Sequence, residues 1–179
     1  MVDKRNRRKG FRFVPFILFF AGVCLHSQGG DLRFKQVIME QGSRLGAVAC
    51  ILQDRRGFMW FGTEDGLYRY DGYDVLPFRH DVDDPATISS DSISCLLEDG
   101  NGILWIGTKG GGLESFDPGT LVFMHYRHNR DDISSLSQDD VSALCEDSKG
   151  ILWVGTHGGG LNRFDRETGR FIRYSRVNG

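Results

Sequence analysis

The chain has 179 residues, with 22 basic and 24 acidic side chains and a net charge near −2, so bulk charge marks it neither for nucleic acid nor for an anionic membrane surface. That balance hides an asymmetry: the first 29 residues hold six Lys and Arg against one Asp, which leaves 16 basic and 23 acidic residues, about −7, for the rest. An acidic remainder disfavours phosphate backbones still further, and nucleic-acid binding is excluded from the expected functions.

At the N-terminus Lys4, Arg5, Arg7, Arg8, Lys9 and Arg12 precede the apolar run Val14–Leu25, and a small polar segment, His26–Gly30, follows. This is the form of a secretory signal. The apolar run is shorter than the roughly 17–25 residues of a membrane span, so residues 1–29 read as a signal peptide, with retention as an N-terminal anchor as the alternative. Residues 30–44 contain one short apolar segment, Leu32–Met39, expected as a lone outer strand followed by a linker.

From there the chain repeats. Cys50–Thr63, Cys95–Thr108 and Ala143–Thr156 superimpose on the pattern Asp-x-x-Gly-x-x-Trp-x-Gly-Thr, with 45 residues from Trp60 to Trp105 and 48 from Trp105 to Trp153. The repeated residues are Asp54, Gly57, Trp60, Gly62 and Thr63, then Asp99, Gly102, Trp105, Gly107 and Thr108, then Asp147, Gly150, Trp153, Gly155 and Thr156. A further match runs through Gly66–Asp71, Gly112–Asp117 and Gly160–Asp165, and a fourth through Phe78–His80, Tyr126–His128 and Phe171–Tyr174. Four short apolar or alternating runs bounded by Gly, Asp or Pro predict four antiparallel strands per repeat. Such a repeat is one blade of a β-propeller.

The local chemistry supports this. Asp54 and its copies begin turns in which the side chain bonds its own backbone and Gly57 and its copies take positive φ. The next strand, as in Ile103–Gly107, is apolar on both faces, as stacking blades face to face requires, and Gly62, Gly107 and Gly155 permit close packing. Cys50, Cys95 and Cys145 each precede the repeated Asp by an even number of residues, so all three are expected on one face of equivalent strands, as buried free thiols. The fold class is therefore all-β: four-stranded antiparallel blades, about three in number, making an incomplete ring. The blades span 45–89, 90–137 and 138–179.

These residues resemble the two-component regulator propeller repeat, whose pattern is Asp-x-x-Gly-x-Leu-Trp-Ile-Gly-Thr followed by Gly-Leu-x-Arg-Phe-Asp. The third copy carries Asp147, Gly150, Leu152, Trp153, Gly155, Thr156, Gly160, Leu161, Arg163, Phe164 and Asp165; Met59 replaces the Leu in the first copy and Ser115 the Arg in the second. The resemblance implies an extracytoplasmic sensor region ahead of a membrane span and a cytoplasmic histidine kinase, in a class of hybrid sensors that detect oligosaccharides. Implied partners are the remaining blades and the downstream membrane and kinase regions of a longer protein. The implied location is the periplasmic side of the inner membrane. Closure by homo-oligomerisation is the alternative for an array too short to form a ring.

No catalytic constellation emerges. Trp60, Trp105 and Trp153 read as packing residues, and Asp81–Asp84 and Asp99–Gly102 as turns, since neither continues into a calcium loop ending in a bidentate Glu. His80 and His128 are equivalent repeat positions instead of a ligand pair, so no metal, cofactor or enzymatic activity is expected. One contrast points to binding: the scaffold repeats while the residue after each Thr changes, Glu64, Lys109 and His157. These three are expected on turns that share a face with the connectors between blades, where varied polar side chains suit a polar ligand. The expected function is ligand sensing and interaction within a two-component sensor; a secreted oligomeric propeller lectin is the alternative, and an exported glycan-active enzyme ranks third.

Overall fold

A computed structural model of the chain describes residues 46–174. The expected signal peptide and lone outer strand lie outside the described residues. The twelve strands are β1 (Val48–Gln53), β2 (Met59–Thr63), β3 (Leu67–Tyr70), β4 (Val75–Phe78), β5 (Ile93–Glu98), β6 (Leu104–Thr108), β7 (Leu113–Asp117), β8 (Val122–Tyr126), β9 (Val141–Glu146), β10 (Leu152–Thr156), β11 (Gly160–Asp165) and β12 (Arg170–Tyr174). They form three antiparallel sheets ordered β1-β2-β3-β4, β5-β6-β7-β8 and β9-β10-β11-β12. Each is a four-strand meander, and no helix occurs among the described residues.

Local sequence sets each turn. Gly57, Gly102 and Gly150 have φ of 90°, 83° and 76°, the region closed to most side chains, and the backbone N–H of each donates to the carbonyl of Asp54, Asp99 or Asp147. In every first strand one residue bulges near the start, between Val48 and Cys50, between Ile93 and Cys95, and opposite the Gly155–Thr156 step. The fourth strands show one shift from the sequence alignment. Phe78 and Tyr126 pair with Leu67 and Leu113, and the residue that pairs with Leu161 is Tyr174, so Tyr174 is the true counterpart and Phe171 matches Phe123.

The sheets pack in chain order, and every interface has the same polarity. The forward face of the first sheet presents Trp60 and Leu67 to Ile93, Leu104, Ile106 and Phe116 of the second. The forward face of the second presents Trp105 and Leu113 to Val141, Leu152, Val154 and Phe164 of the third. Phe116 meets Trp60 edge-on, with ring centroids 5.7 Å apart, and Phe164 meets Trp105 likewise at 5.1 Å. Each enclosed indole removes about 200 Å² from water, roughly 5 kcal/mol as an upper bound.

Only β6 is buried along its whole length, because it is an inner strand of the one sheet that lies between two described sheets. In β10 burial alternates: Leu152 and Val154 face the second sheet, while Trp153 is only half-buried. The thiols follow the same logic and partly correct the expectation. All three are free; Cys50 and Cys95 are partly buried against the next sheet, but Cys145, on the forward side of the third, is exposed. Burial pushes the Cys50 thiol up to about 11 and that of Cys95 above its ordinary value.

The interface glycines have a measurable role. A Cβ on Gly62 would lie 2.5 Å from Cys50 Sγ and 2.6 Å from Ile93 Cγ2, and one on Gly107 would lie 2.7 Å from Val141 Cγ1. At Gly155 the nearest atom is Ala143 Cβ at 3.5 Å, an ordinary contact. Gly62→Ala and Gly107→Ala are therefore expected to cost about 1–3 kcal/mol each by overpacking. Gly155→Ala should stay within about 0.5 kcal/mol. Urea unfolding followed by tryptophan fluorescence checks this; equal losses at all three positions would refute the forward-packing account.

Candidate functional site

The edges of the blades form two working faces. On the hairpin face each repeated Asp does three jobs at once. Asp54 Oδ1 accepts the N–H groups of Arg56 and Phe58, both at 2.9 Å, and Oδ2 accepts the Trp60 indole N–H at 2.9 Å. Asp99 serves Asn101, Ile103 and Trp105 in the same way, and Asp147 serves Lys149, Ile151 and Trp153. The turn role was legible in the sequence; the bond to Trp, which fixes the ring that fills the interface, was not.

The same face carries a clasp between blades. The Arg55 N–H donates to Glu98 Oε2 at 2.9 Å, and one blade later the Gly100 N–H donates to Glu146 Oε2 at 2.7 Å. Arg166 crosses the second junction, donating to Asp99 Oδ2 at 2.6 Å and Glu146 Oε1 at 2.9 Å, with its guanidinium carbon 5.8 Å from the Trp105 ring centre. Arg69 stands 5.8 Å from the Trp60 ring in the first blade. Thus where Ser115 replaces the repeat Arg, the next blade supplies the cation.

The connector face holds the expected ligand residues. Its turns join second to third strands and are closed by Thr63 and Thr108, whose buried hydroxyls donate to Gly66 O at 2.9 Å and Gly112 O at 2.8 Å, while Thr156 donates to Gly160 O at 3.2 Å. The turns touch the connectors: Gly66 N–H donates to Asp91 O, Ser89 Oγ to Gly111 O and Lys109 N–H to Ser92 O, at 2.9, 2.9 and 2.8 Å. Asp91 and Asp139 also accept the backbone N–H of His80 and His128 at 2.8 and 2.6 Å, and the Nδ1 of each imidazole meets Ile88 O or Leu136 O at 2.8 Å. Those two histidines lock the connectors.

Glu64 and Lys109 come together across the first junction, Nζ to Oε1 at 3.5 Å, both exposed. An exposed pair of this kind contributes little stability. His157 occupies the same turn of the third blade, its N–H on Asp140 O at 2.7 Å, and its ring bonds no other described residue. Beneath this face lies a charge the sequence reading missed. Glu114 on β7 is fully buried and bonded to Ser89 and to His125 Nδ1. Burial pushes the Glu114 carboxyl up, against the pull of Ser89 and His125. Its only sequence signal was an acidic residue within the apolar run Leu113–Phe116. No group of metal-ligating side chains occurs among the described residues.

The family model described as "Two component regulator propeller" matches residues 42–65, 87–110 and 135–158, one match per repeat. The extracellular domain of a hybrid two-component system from B. thetaiotaomicron is similar in structure, with a TM-score of 0.68 and 30% identity over 74% of this chain and 20% of that one. A second such domain from the same organism gives 0.61 and 26%, over 72% of this chain and 19% of that one. Histidine kinase P4 of Formosa agariphila is 33% identical over 77 residues, 43% of this chain and 6% of its own length. The chain thus spans about a fifth of the extracellular domains and a small part of the kinase.

Asp99 offers a test of the hairpin face. Burial pushes its carboxyl up, but the Trp105, Arg166, Ile103 and Asn101 donors outweigh this and hold it below the ordinary value. A depressed folded pKa gives stability that is present above the unfolded value, about 3.9, and is lost as pH falls through the folded one. Trp105→Phe keeps an aromatic ring in the interface but removes the donor and part of the buried volume. It should cost about 1.5–3 kcal/mol at pH 7 and flatten the acid limb of stability below pH ~4. Urea midpoints at pH 7 and pH 3 measure both; an acid limb as steep as in the parent would refute the assignment.

Proposed function

We propose that this chain, whose three repeats each match the two-component regulator propeller model, is the ligand-sensing and interaction segment of the extracytoplasmic propeller of a two-component sensor histidine kinase, responding to an oligosaccharide. The observation that carries this is the contrast on the connector face: turns closed by the same Thr, one residue shorter in the first blade, present three different exposed polar residues, Glu64, Lys109 and His157. A fixed scaffold with a varied polar rim suits recognition of a hydroxyl-rich solute through directed hydrogen bonds. The likeness to extracellular domains of two-component systems supports the sensor role, and the basic and apolar order of residues 1–29 supports export by a secretory signal.

The remaining partners follow from packing. The forward side of the third sheet offers Trp153 half-buried, with Leu161, Ile172 and Tyr174 between 42% and 48% exposed and Cys145 exposed. At both interior junctions that side is covered by the next blade. Further blades of the same repeat, then a membrane span and kinase, are the proposed continuation.

Two measurements test this reading. Titration calorimetry of the full chain against a panel of neutral and acidic oligosaccharides should find a ligand whose affinity falls about tenfold or more in Lys109→Ala, the worth of a hydrogen bond from a charged donor. Unchanged binding in a variant with alanine at 64, 109 and 157 would remove the site. An antibody against residues 45–175, used on the source cells, should detect a large inner-membrane species. A small secreted band assembling into a defined oligomer would replace the sensor reading with the lectin.

A further inference from the structure

The two connectors match residue for residue. His80 and His128, Asp84 and Asp132, Thr87 and Ser135, and Ile88 and Leu136 hold equivalent places. Thr87 Oγ1 donates to Asp84 O and Ser135 Oγ to Asp132 O, both at 2.8 Å. Asp81 and Asn129 occupy the same step, their N–H groups donating to Thr87 Oγ1 and Ser135 Oγ at 2.9 and 2.8 Å.

What differs is the side chain that the fourth strand sends under the loop. In the third blade it is Arg173, opposite Asn162. Its Nε donates to Ser135 O at 2.9 Å, and Nη2 reaches Asp132 O at 2.9 Å, Leu136 O at 3.1 Å and Ser135 Oγ at 2.7 Å. The loop is thus a nest of oxygens around a guanidinium. In the second blade the residue in that register, opposite Glu114, is His125. Its ring turns to Glu114 and to Pro85 O, the latter at 3.0 Å, and not to the carbonyls of Asp84 or Thr87. A cavity of about 290 Å³ lies there, lined among others by Asp81, Asp84, Thr87, Ser89, His125 and Arg127.

Charge changes in the same sense. Where the filled loop carries Asn129 and Arg130, the other carries Asp81 and Val82, and both keep the two acids that follow. The connector with the cavity is therefore more negative by two charges than the one that already holds a cation. Arg127 also lines the cavity and offsets one of those two charges, which leaves a difference of one.

We propose that the connector leading into the second blade, residues 81–90, is a receptor for a guanidinium group brought by a ligand, as a free small molecule or as an arginine side chain of a peptide. The Asp84 and Thr87 carbonyls accept its N–H groups as those of Asp132 and Ser135 accept Arg173. A guanidinium offers five donors in one plane and no acceptor, which matches an all-oxygen nest better than a compact ammonium does. Glu64, Lys109 and His157 do not line this cavity, so the assignment is independent of the oligosaccharide reading.

Calorimetric titration of the full chain with methylguanidinium, with L-arginine and with a capped arginyl-glycine peptide tests it. Saturable one-to-one binding is expected, with methylammonium weaker. His125→Arg places the chain's own guanidinium in the nest and should weaken binding about ten- to a hundredfold. Arg173→Ala empties the second nest and should raise the stoichiometry from one to two. Near-UV circular dichroism verifies that each variant is folded, and if one is not, the other carries the test. Tighter binding of the peptide identifies an arginyl partner; equal binding of all three probes identifies a free guanidinium solute. Absence of saturable binding by any probe, a folded His125→Arg that binds as the parent does, or a folded Arg173→Ala without a second site overturns the proposal.

Discussion

Everything in this structure depends on a carboxylate that accepts an indole N–H. The Asp of each first turn holds two backbone N–H groups of its own hairpin and the Trp Nε1 six residues on, at 2.8 to 3.0 Å in all three blades. The backbone bonds set the turn, and the indole bond sets the ring. A Trp placed in this way satisfies its one polar atom at the sheet edge and delivers the rest of its surface to the neighbouring blade. Without that bond an N–H would be buried unpaired or the ring would swing out of the junction.

Above that anchor the junction is a polarised joint. One side contributes Trp, an inner Leu and a glycine; the other contributes a β-branched residue from the first strand, two aliphatics from the second and a Phe from the third. The glycine matters because Ile93 and Val141 occupy the volume a side chain would need. On the hairpin face Glu98 and Glu146 accept an N–H from the preceding blade, and on the connector face Asp91 and Asp139 accept backbone groups that close the loop. Apolar burial supplies the energy, and these directional bonds fix the register.

How much of this was legible follows from distance along the chain. The four strands, the Asp–Gly turns, the glycine notch and the structural standing of Trp60 were readable, because each is written within about ten residues and copied three times. Contacts that join separate repeats were not. Arg166 over Trp105, the buried Glu114 with His125, and the meeting of Glu64 with Lys109 need the blades already in place. Glu114 sits in an otherwise apolar run, which marks it as unusual without naming its partner. The fourth-strand match slid by three residues, because Phe171 and Tyr174 are both aromatic and only pairing with Leu161 tells them apart. Cys145 was misjudged for a different reason: its parity was right, but burial is a property of the neighbour, not of the strand.

The sameness of the two junctions has an evolutionary consequence. A copy of the second or third repeat inserted in frame would bring its own glycine, its own glutamate and its own aliphatic underside, so it would fit both neighbours without compensating change elsewhere. Blade number can then drift by unequal recombination, while the residues at the tips of the Thr-closed turns diverge freely. Such a gene can vary what it recognises and how large its array is by separate mutations, and neither change has to pass through an unfolded intermediate.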